Sequence, residues 1–177
     1  MKTEELYKEA FKQALLNDKL DEISPLSLSN SIHKTKQSFY YHFRDLNDLL
    51  ACILIDDLKK ELDDKVSVKA FINVLENYRK NNEQLFDAIL DSELVVELEQ
   101  FINSSSSYFF TKTLQSSYPN LKIEERLIVA KYLSGALSSV YLLCLRDVRL
   151  TKKIETIHLL FTKEKIDEIL YTLSYLF

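Results

Sequence analysis

The sequence predicts an all-α fold of about nine helices, in which a small N-terminal head of three short helices is joined by a fourth helix to a helical bundle. Three observations carry this. Only one Gly and two Pro occur in 177 residues, too few for the turns of β-rich folds or for glycine-rich phosphate loops. Apolar residues make up 46% of the chain against 28% charged, and they recur at intervals of three and four almost throughout. Residues that cap helices stand in front of several of these stretches: Ser24 before Pro25, then Thr35, Asp45 and Thr162.

In chain order, residues 3–16 place Leu6, Tyr7, Ala10, Phe11, Ala14 and Leu15 on one helical face, with Glu4, Glu5, Lys8, Glu9 and Lys12 around the rest. A polar stretch closes this first helix. Residues 25–32 form the second, with Leu28 and Ile32 inward, and His33 and Lys34 make a turn. The third helix spans 36–43 under a Thr35 cap. At 100° per residue, Phe39 and Phe43 point inward, Gln37, Ser38 and Tyr41 point away, and Tyr40 lies at the flank. Two short helices and a tight turn make a helix-turn-helix. Asp45 caps the fourth helix, whose apolar period runs from Leu46 to Leu62. Further helices are expected at 67–80, 83–90, 92–116, 123–146 and from 163 to the end, and residues 148–161 are expected to be a helical or irregular connection. Ser104 to Ser107 put weak helix formers inside the seventh helix and are expected on a solvated face. These elements divide the chain into a head, 1–47, and a larger helical domain, 48–177.

Charge singles out the head. The whole chain carries a formal charge of -4, so its surface at large repels nucleic acid, yet residues 24–44 contain no acid and hold Lys34, Lys36 and Arg44. Cations, hydroxyls and amides near a helix N-terminus are phosphate ligands, and Lys34, Thr35, Lys36, Tyr40, His42 and Arg44 suit that role. The exposed start of the third helix is the candidate for reading base edges. Lys36, Gln37, Ser38 and Tyr41 are the candidates there: Lys36 could donate to guanine, Gln37 pair with adenine, and the Tyr41 ring pack on a thymine methyl.

These residues carry a family resemblance. KQSFYYHFRDLNDLL, behind a capped second helix and an amphipathic first one, resembles the DNA-binding head of TetR/AcrR-type transcriptional regulators, with Phe39, Tyr40, His42 and Phe43 matching its hallmark. KQSFYYHF, with Gln37 where Gly is common, looks closest to the DhaS-like branch. Three positions depart from the pattern: His33 and Lys34 replace a Gly-Val turn, Leu46 replaces a basic residue, and Leu26 stands where a base or phosphate contact is often found. His33 requires either a left-handed non-Gly residue or a turn of another shape.

The resemblance implies a regulator that binds a near-palindromic DNA operator as a homodimer. It also implies an effector cavity in the larger domain, coupled to the separation of the two heads, with Tyr78, Phe86, Phe101, Tyr108, Tyr132 and Tyr141 as candidate lining. The effector, a small molecule or a protein partner, is not identified by the sequence. The eighth helix is apolar or small on almost every side in its second half, YLSGALSSVYLLCL, which calls for cover all round, by its own core and by a second copy. Gly135, Ser138 and Ser139 there, with Ile169 and Leu173 of the ninth helix, are the candidate dimer interface. An alternative is a protein-interaction adaptor of the same fold, with DNA binding weakened by Leu26, Leu46 and the acidic overall charge.

Other classes find little support. His33, His42 and His158 lack the spacing of metal ligands, and no Ser-His-Asp or Cys-His arrangement emerges, so neither an enzyme nor a cofactor is expected. Asp56-Asp57 and Asp63-Asp64 read as solvated pairs on the fourth helix. Cys52 and Cys144 each sit in an apolar run and read as buried thiols of a reducing compartment. The N-terminus is charged and the apolar run 49–55 is too short to cross a bilayer. A cytoplasmic location without a membrane partner is therefore expected.

Overall fold

The computed structural model of the chain describes residues 2–17, 22–65, 67–173 and 175. Its regular elements are all helical: α1 (Thr3–Asn17), α2 (Pro25–Ser31), α3 (Lys36–His42), α4 (Leu46–Asp63), α5 (Val68–Asn81), α6 (Glu83–Leu90), α7 (Val95–Ser117), α8 (Ile123–Arg146), α9 (Val148–Thr151), a 3₁₀ helix (Ile154–Phe161) and α10 (Lys163–Leu173). The all-α class is thus the observed one. The unassigned connection at 148–161 resolves into the one-turn α9 and the 3₁₀ helix. Asp147 starts it by accepting the Arg149 N–H at 2.9 Å. The seventh helix begins three residues later than its pattern suggested, because Ser92 forms a turn, donating to Ile89 O and accepting from Leu94 N–H.

Two compact units divide the chain, Met1–Leu58 with Tyr78–Phe101, and Lys59–Asn77 with Ile102–Phe177. The first is built on the aromatic and aliphatic stripe of α1. Tyr7, Phe11 and Leu15 are buried with Leu28 of α2, Phe39 of α3 and Leu49, Leu50, Ile53 and Leu54 of α4, and α6 packs against α1 through this unit. Polar residues then tie α1 to α4. Lys8 is buried, and its ammonium bonds Asp56 of α4 as well as Glu4 at 2.7 Å and Glu5 at 3.2 Å. Burial disfavours that charge, but the hydrogen bonds it donates to Asp56, Glu4 and Glu5 outweigh this and hold the Lys8 pKa well above the ordinary lysine value. One turn along, Lys12 reaches Asp57 at 2.8 Å, and the Tyr78 hydroxyl donates to the same carboxylate oxygen at 2.6 Å. Burial and then this bond push the Tyr78 phenol well above its ordinary pKa. Asp56 and Asp57 are therefore not a bare solvated pair. The sequence shows helical phase but not that Lys8 and Lys12, four apart on α1, meet two adjacent acids on α4.

The second unit centres on α7, α8 and the 3₁₀ helix. Phe71 of α5 stacks on Phe109, which meets Phe110, which meets Phe161, at centroid spacings of 5.6, 5.3 and 5.6 Å. Where α7 crosses α8 the contact is polar. Ser134 donates to Asn103 Oδ1 at 3.2 Å, and Asn103 Nδ2 donates to Ser138 at 3.4 Å. A Cβ on Gly135 would stand 3.9 Å from that same Nδ2. Ser106 is fully buried and bonds back to Ile102 O at 2.7 Å, so the serine run lies partly in the core rather than on a solvated face. A backbone carbonyl satisfies its hydroxyl, which lets a weak helix former sit inside α7 without a break. By length and composition α8 could cross a membrane, with a mean hydropathy of 1.6 over 18 residues, but half of that window is buried inside the protein.

The α1–α4 ladder makes a stability prediction. Asp57→Ala removes the shared acceptor of Lys12 and Tyr78 and should lower unfolding free energy by about 2 kcal/mol. Urea titration should show a lower midpoint at unchanged slope.

Candidate nucleic-acid interface

The helix-turn-helix is defined by its ends. Ser24 and Ser27 form a reciprocal capping box, with Ser27 N–H donating to Ser24 Oγ at 3.1 Å and Ser24 N–H to Ser27 Oγ at 2.8 Å, and Pro25 supplies the first helical residue. At the other end of α2, His33 N–H donates to Asn30 O at 3.1 Å and Lys34 N–H to Ser29 O at 2.8 Å. This pairing is a Schellman motif, whose left-handed position is usually Gly. Here it is His33, with φ 57°. The departure from a Gly-Val turn therefore leaves the turn shape intact and places a non-Gly residue in the left-handed region. Thr35 then caps α3, accepting the Ser38 N–H at 3.3 Å.

Tyr7 sets which way α3 faces. Its hydroxyl shares a 3.0 Å hydrogen bond with the buried Ser29 of α2. Its ring meets Phe39 edge-on at 5.4 Å and Phe43 at 6.1 Å. With Phe39 and Phe43 held inward, the opposite side of α3 is left to solvent. Lys34, Thr35, Lys36 and Gln37 are exposed, Ser38 is half-buried, Tyr40 is 51% exposed and Tyr41 is 86% exposed. Lys36 Nζ lies 5.7 Å from the centre of the Tyr40 ring, a cation–π arrangement that steadies a long side chain on the outer face.

His42 and Arg44 sit differently. His42 is half-buried, its ring 6.4 Å from Tyr7 and 5.1 Å from Tyr41, so it packs α3 onto α1 and supports the Tyr41 ring from beneath. Arg44 follows the extended Phe43 and reaches Asp48 at 3.4 Å, while its N–H donates to the other oxygen of Asp48 at 2.9 Å. Asp45 in turn accepts the Asp48 N–H at 2.8 Å, which caps α4 as its sequence position suggests. Sequence reasoning missed Asp48. The signal available was the D-x-x-D spacing of a capping box.

The six aromatic residues proposed to line an effector cavity are not brought to one place within either unit. In the first unit Tyr78 and Phe86 pack at 5.9 Å, and Phe101 is buried. In the second, Tyr141 is fully buried and donates to the buried Glu76 at 2.7 Å, while Tyr108 and Tyr132 are exposed. A groove of about 440 Å³ lies instead between α1 and α2, floored by Leu6, Ala10, Ala14, Leu28 and Ile32. None of the six aromatics lines it.

The proposed dimer residues also separate. Ser138 is fully buried against Asn103 and Gly135 approaches the same residue, so these small residues admit α7 of their own chain, and Ser138 does not belong to an outer surface. Ser139 is exposed and Ile169 half-buried, and the Leu173 side chain lies outside the described residues. On α8, Leu127, Ile128, Tyr132 and Leu143 are exposed.

No family model matches the sequence, and no curated protein matches it. Among solved structures the chain is similar to "Dihydroxyacetone kinase operon activator DhaS", with a TM-score of 0.59 and 16% identity over 99% of this chain and 97% of that one. At that identity the likeness concerns the all-α fold alone.

The left-handed His33 generates a prediction. His33→Gly removes the Cβ clash of that conformation and should raise stability by about 1 kcal/mol, read as a higher midpoint in thermal or urea unfolding. A loss of stability would show that the His33 side chain contributes more than its backbone strain removes.

Proposed function

We propose that the chain is a transcriptional regulator that binds DNA as a homodimer, laying α3 of each copy in the major groove of a near-palindromic operator. The observation that carries the reading is the division of α3 into an inner face anchored by Phe39 and an outer face presenting Lys36, Gln37 and Tyr41. Such a helix supplies cationic contacts that position the protein and amide and aromatic groups that discriminate bases. Lys34, Thr35 and Tyr40 add phosphate contacts at its edge, and His42 acts through packing. The fold likeness to an operon activator supports a regulatory role.

In this reading residues 1–47 are the DNA-binding head and 48–177 the sensing and dimerisation domain, working in the cytoplasm without a cofactor. The second copy covers α8 and α10. The exposed Ile128, Tyr132, Ser139 and Leu143 of α8, with Ile169 of α10, are its contact residues. A stable interface of this kind buries roughly 1,200–2,000 Å², so sedimentation should give the mass of a dimer. A small effector or protein partner bound by the larger domain changes affinity by favouring one spacing of the heads. Of the candidate lining residues, Tyr78 and Phe86 are tied to the Asp57 ladder, because Tyr78 bonds Asp57 and packs on Phe86.

A second reading, an adaptor of the same fold that works chiefly through a protein partner, is favoured by Leu26. It is 51% exposed on α2, where a polar contact to DNA would be useful. The two readings separate in one experiment. Binding to the DNA upstream of its own gene is measured over a salt series for the parent, Lys36→Ala and Tyr41→Ala. Lys36→Ala should flatten the dependence of log K on log salt by about one. Tyr41→Ala should reduce discrimination between operator and random duplex by roughly 1–3 kcal/mol. A specific complex unchanged by both substitutions would remove α3 as the reading helix, and absence of any enriched site would favour the adaptor.

A further inference from the structure

We infer that Asp48 is an internal competitor for Arg44, holding the head's grip on phosphate below what its cations alone would allow. The inference rests on the DNA-binding reading and deepens it. Three cations serve residues 24–44. Lys34 has no ion-pair partner among the described residues, and Lys36 lies over a ring that leaves its charge intact. Of these three, Arg44 alone has a carboxylate partner among the described residues, Asp48 at the start of α4, with the Arg44 side chain 86% exposed and Nη2 at 3.4 Å from Asp48 Oδ1. That guanidinium stands just beyond α3, at the junction with α4.

Asp48 is well placed for this because its carboxylate is held from the backbone side. One oxygen accepts the Arg44 N–H at 2.9 Å, and the Asp48 N–H is fixed by Asp45 at 2.8 Å. The carboxylate therefore stays put while the guanidinium swings. An exposed pair of this type is weak, so a phosphate can displace Asp48, but the exchange replaces one charged hydrogen bond with another rather than adding one. Binding then gains less from Arg44 than from an unpaired Arg, and Asp48 works as a brake on sequence-independent affinity. A protein whose overall charge is -4 and whose flanking positions are Leu26 and Leu46 thus has a head tuned toward weak, helix-3-dependent binding.

The test is a two-by-two set of variants, the parent, Asp48→Asn, Arg44→Gln and the double variant, titrated with mixed-sequence duplex DNA across a salt series. Asn keeps an oxygen to accept the Arg44 N–H while losing the charge; Asp48→Ser serves the same purpose should Asn prevent folding. Asp48→Asn should tighten binding at low salt roughly three- to tenfold and steepen the salt dependence by up to about one. Arg44→Gln should cost little in the parent and erase the gain in the Asp48→Asn background. No gain on replacing Asp48 overturns the inference. A gain that survives Arg44→Gln also overturns it, since Asp48 then acts only by repelling DNA. Absence of salt-dependent duplex binding by the parent and both Asp48 variants would instead bring down the DNA-binding reading, and this inference with it.

Discussion

The head depends on the packing of one side chain. Tyr7 of α1 is fully buried, touches Phe39 and Phe43 with its ring and reaches Ser29 with its hydroxyl, so a single residue fixes α2 and α3 on α1 together. The two interactions differ in size. Burial of an aromatic ring in such a site contributes on the order of 3–5 kcal/mol, and a hydroxyl hydrogen bond about 1 kcal/mol. Packing therefore decides that α3 docks, and the hydrogen bond to Ser29 decides the register of α2 behind it. The outward presentation of Gln37 and Tyr41 is the geometric consequence of that docking.

From α1 the constraint passes to α4 by charge rather than by packing alone. Lys8 and Lys12 engage Asp56 and Asp57, and Tyr78 closes on the second acid. Three acids surround the Lys8 ammonium, so the cluster of Glu4, Glu5 and Asp56, which could otherwise hold a metal ion, already has its cation. The ladder also explains why α1 carries two lysines on a flank that the hydrophobic period leaves unassigned. Their alkyl stems run along the core edge and their charges meet α4.

Much of the architecture was legible in the sequence because it is local. Helical phase, the Ser24-Pro25 start, the Thr35 and Asp45 caps and the inward pair Phe39 and Phe43 all follow from spacing and capping chemistry, and each reappears in the fold. The left-handed turn at His33 was half legible: its need was visible, its solution was not, since only the backbone pairing of His33 and Lys34 identifies a Schellman motif. What escaped was non-local. Whether Ser106 faces water or the core, whether Ser138 meets α7, and whether Asp57 is solvated or shared by two donors are properties of helix pairing, and amphipathic pattern does not encode them when a helix is apolar on nearly every side. The pattern of α8 calls for cover on every side, and its small residues Ser134, Gly135 and Ser138 take theirs from Asn103 of the same chain, a division between own core and second copy that spacing alone does not specify.

The central claim, that a head oriented by Tyr7 offers the outer face of α3 to duplex DNA, is tested most directly by amide chemical shifts of the full-length protein during titration with duplex. The account predicts salt-sensitive shifts concentrated at Lys34, Lys36, Gln37 and Tyr41, with Tyr7 and Phe39 unmoved because the core beneath α3 does not rearrange. Shifts centred on the groove between α1 and α2, or none at any salt concentration, would contradict it.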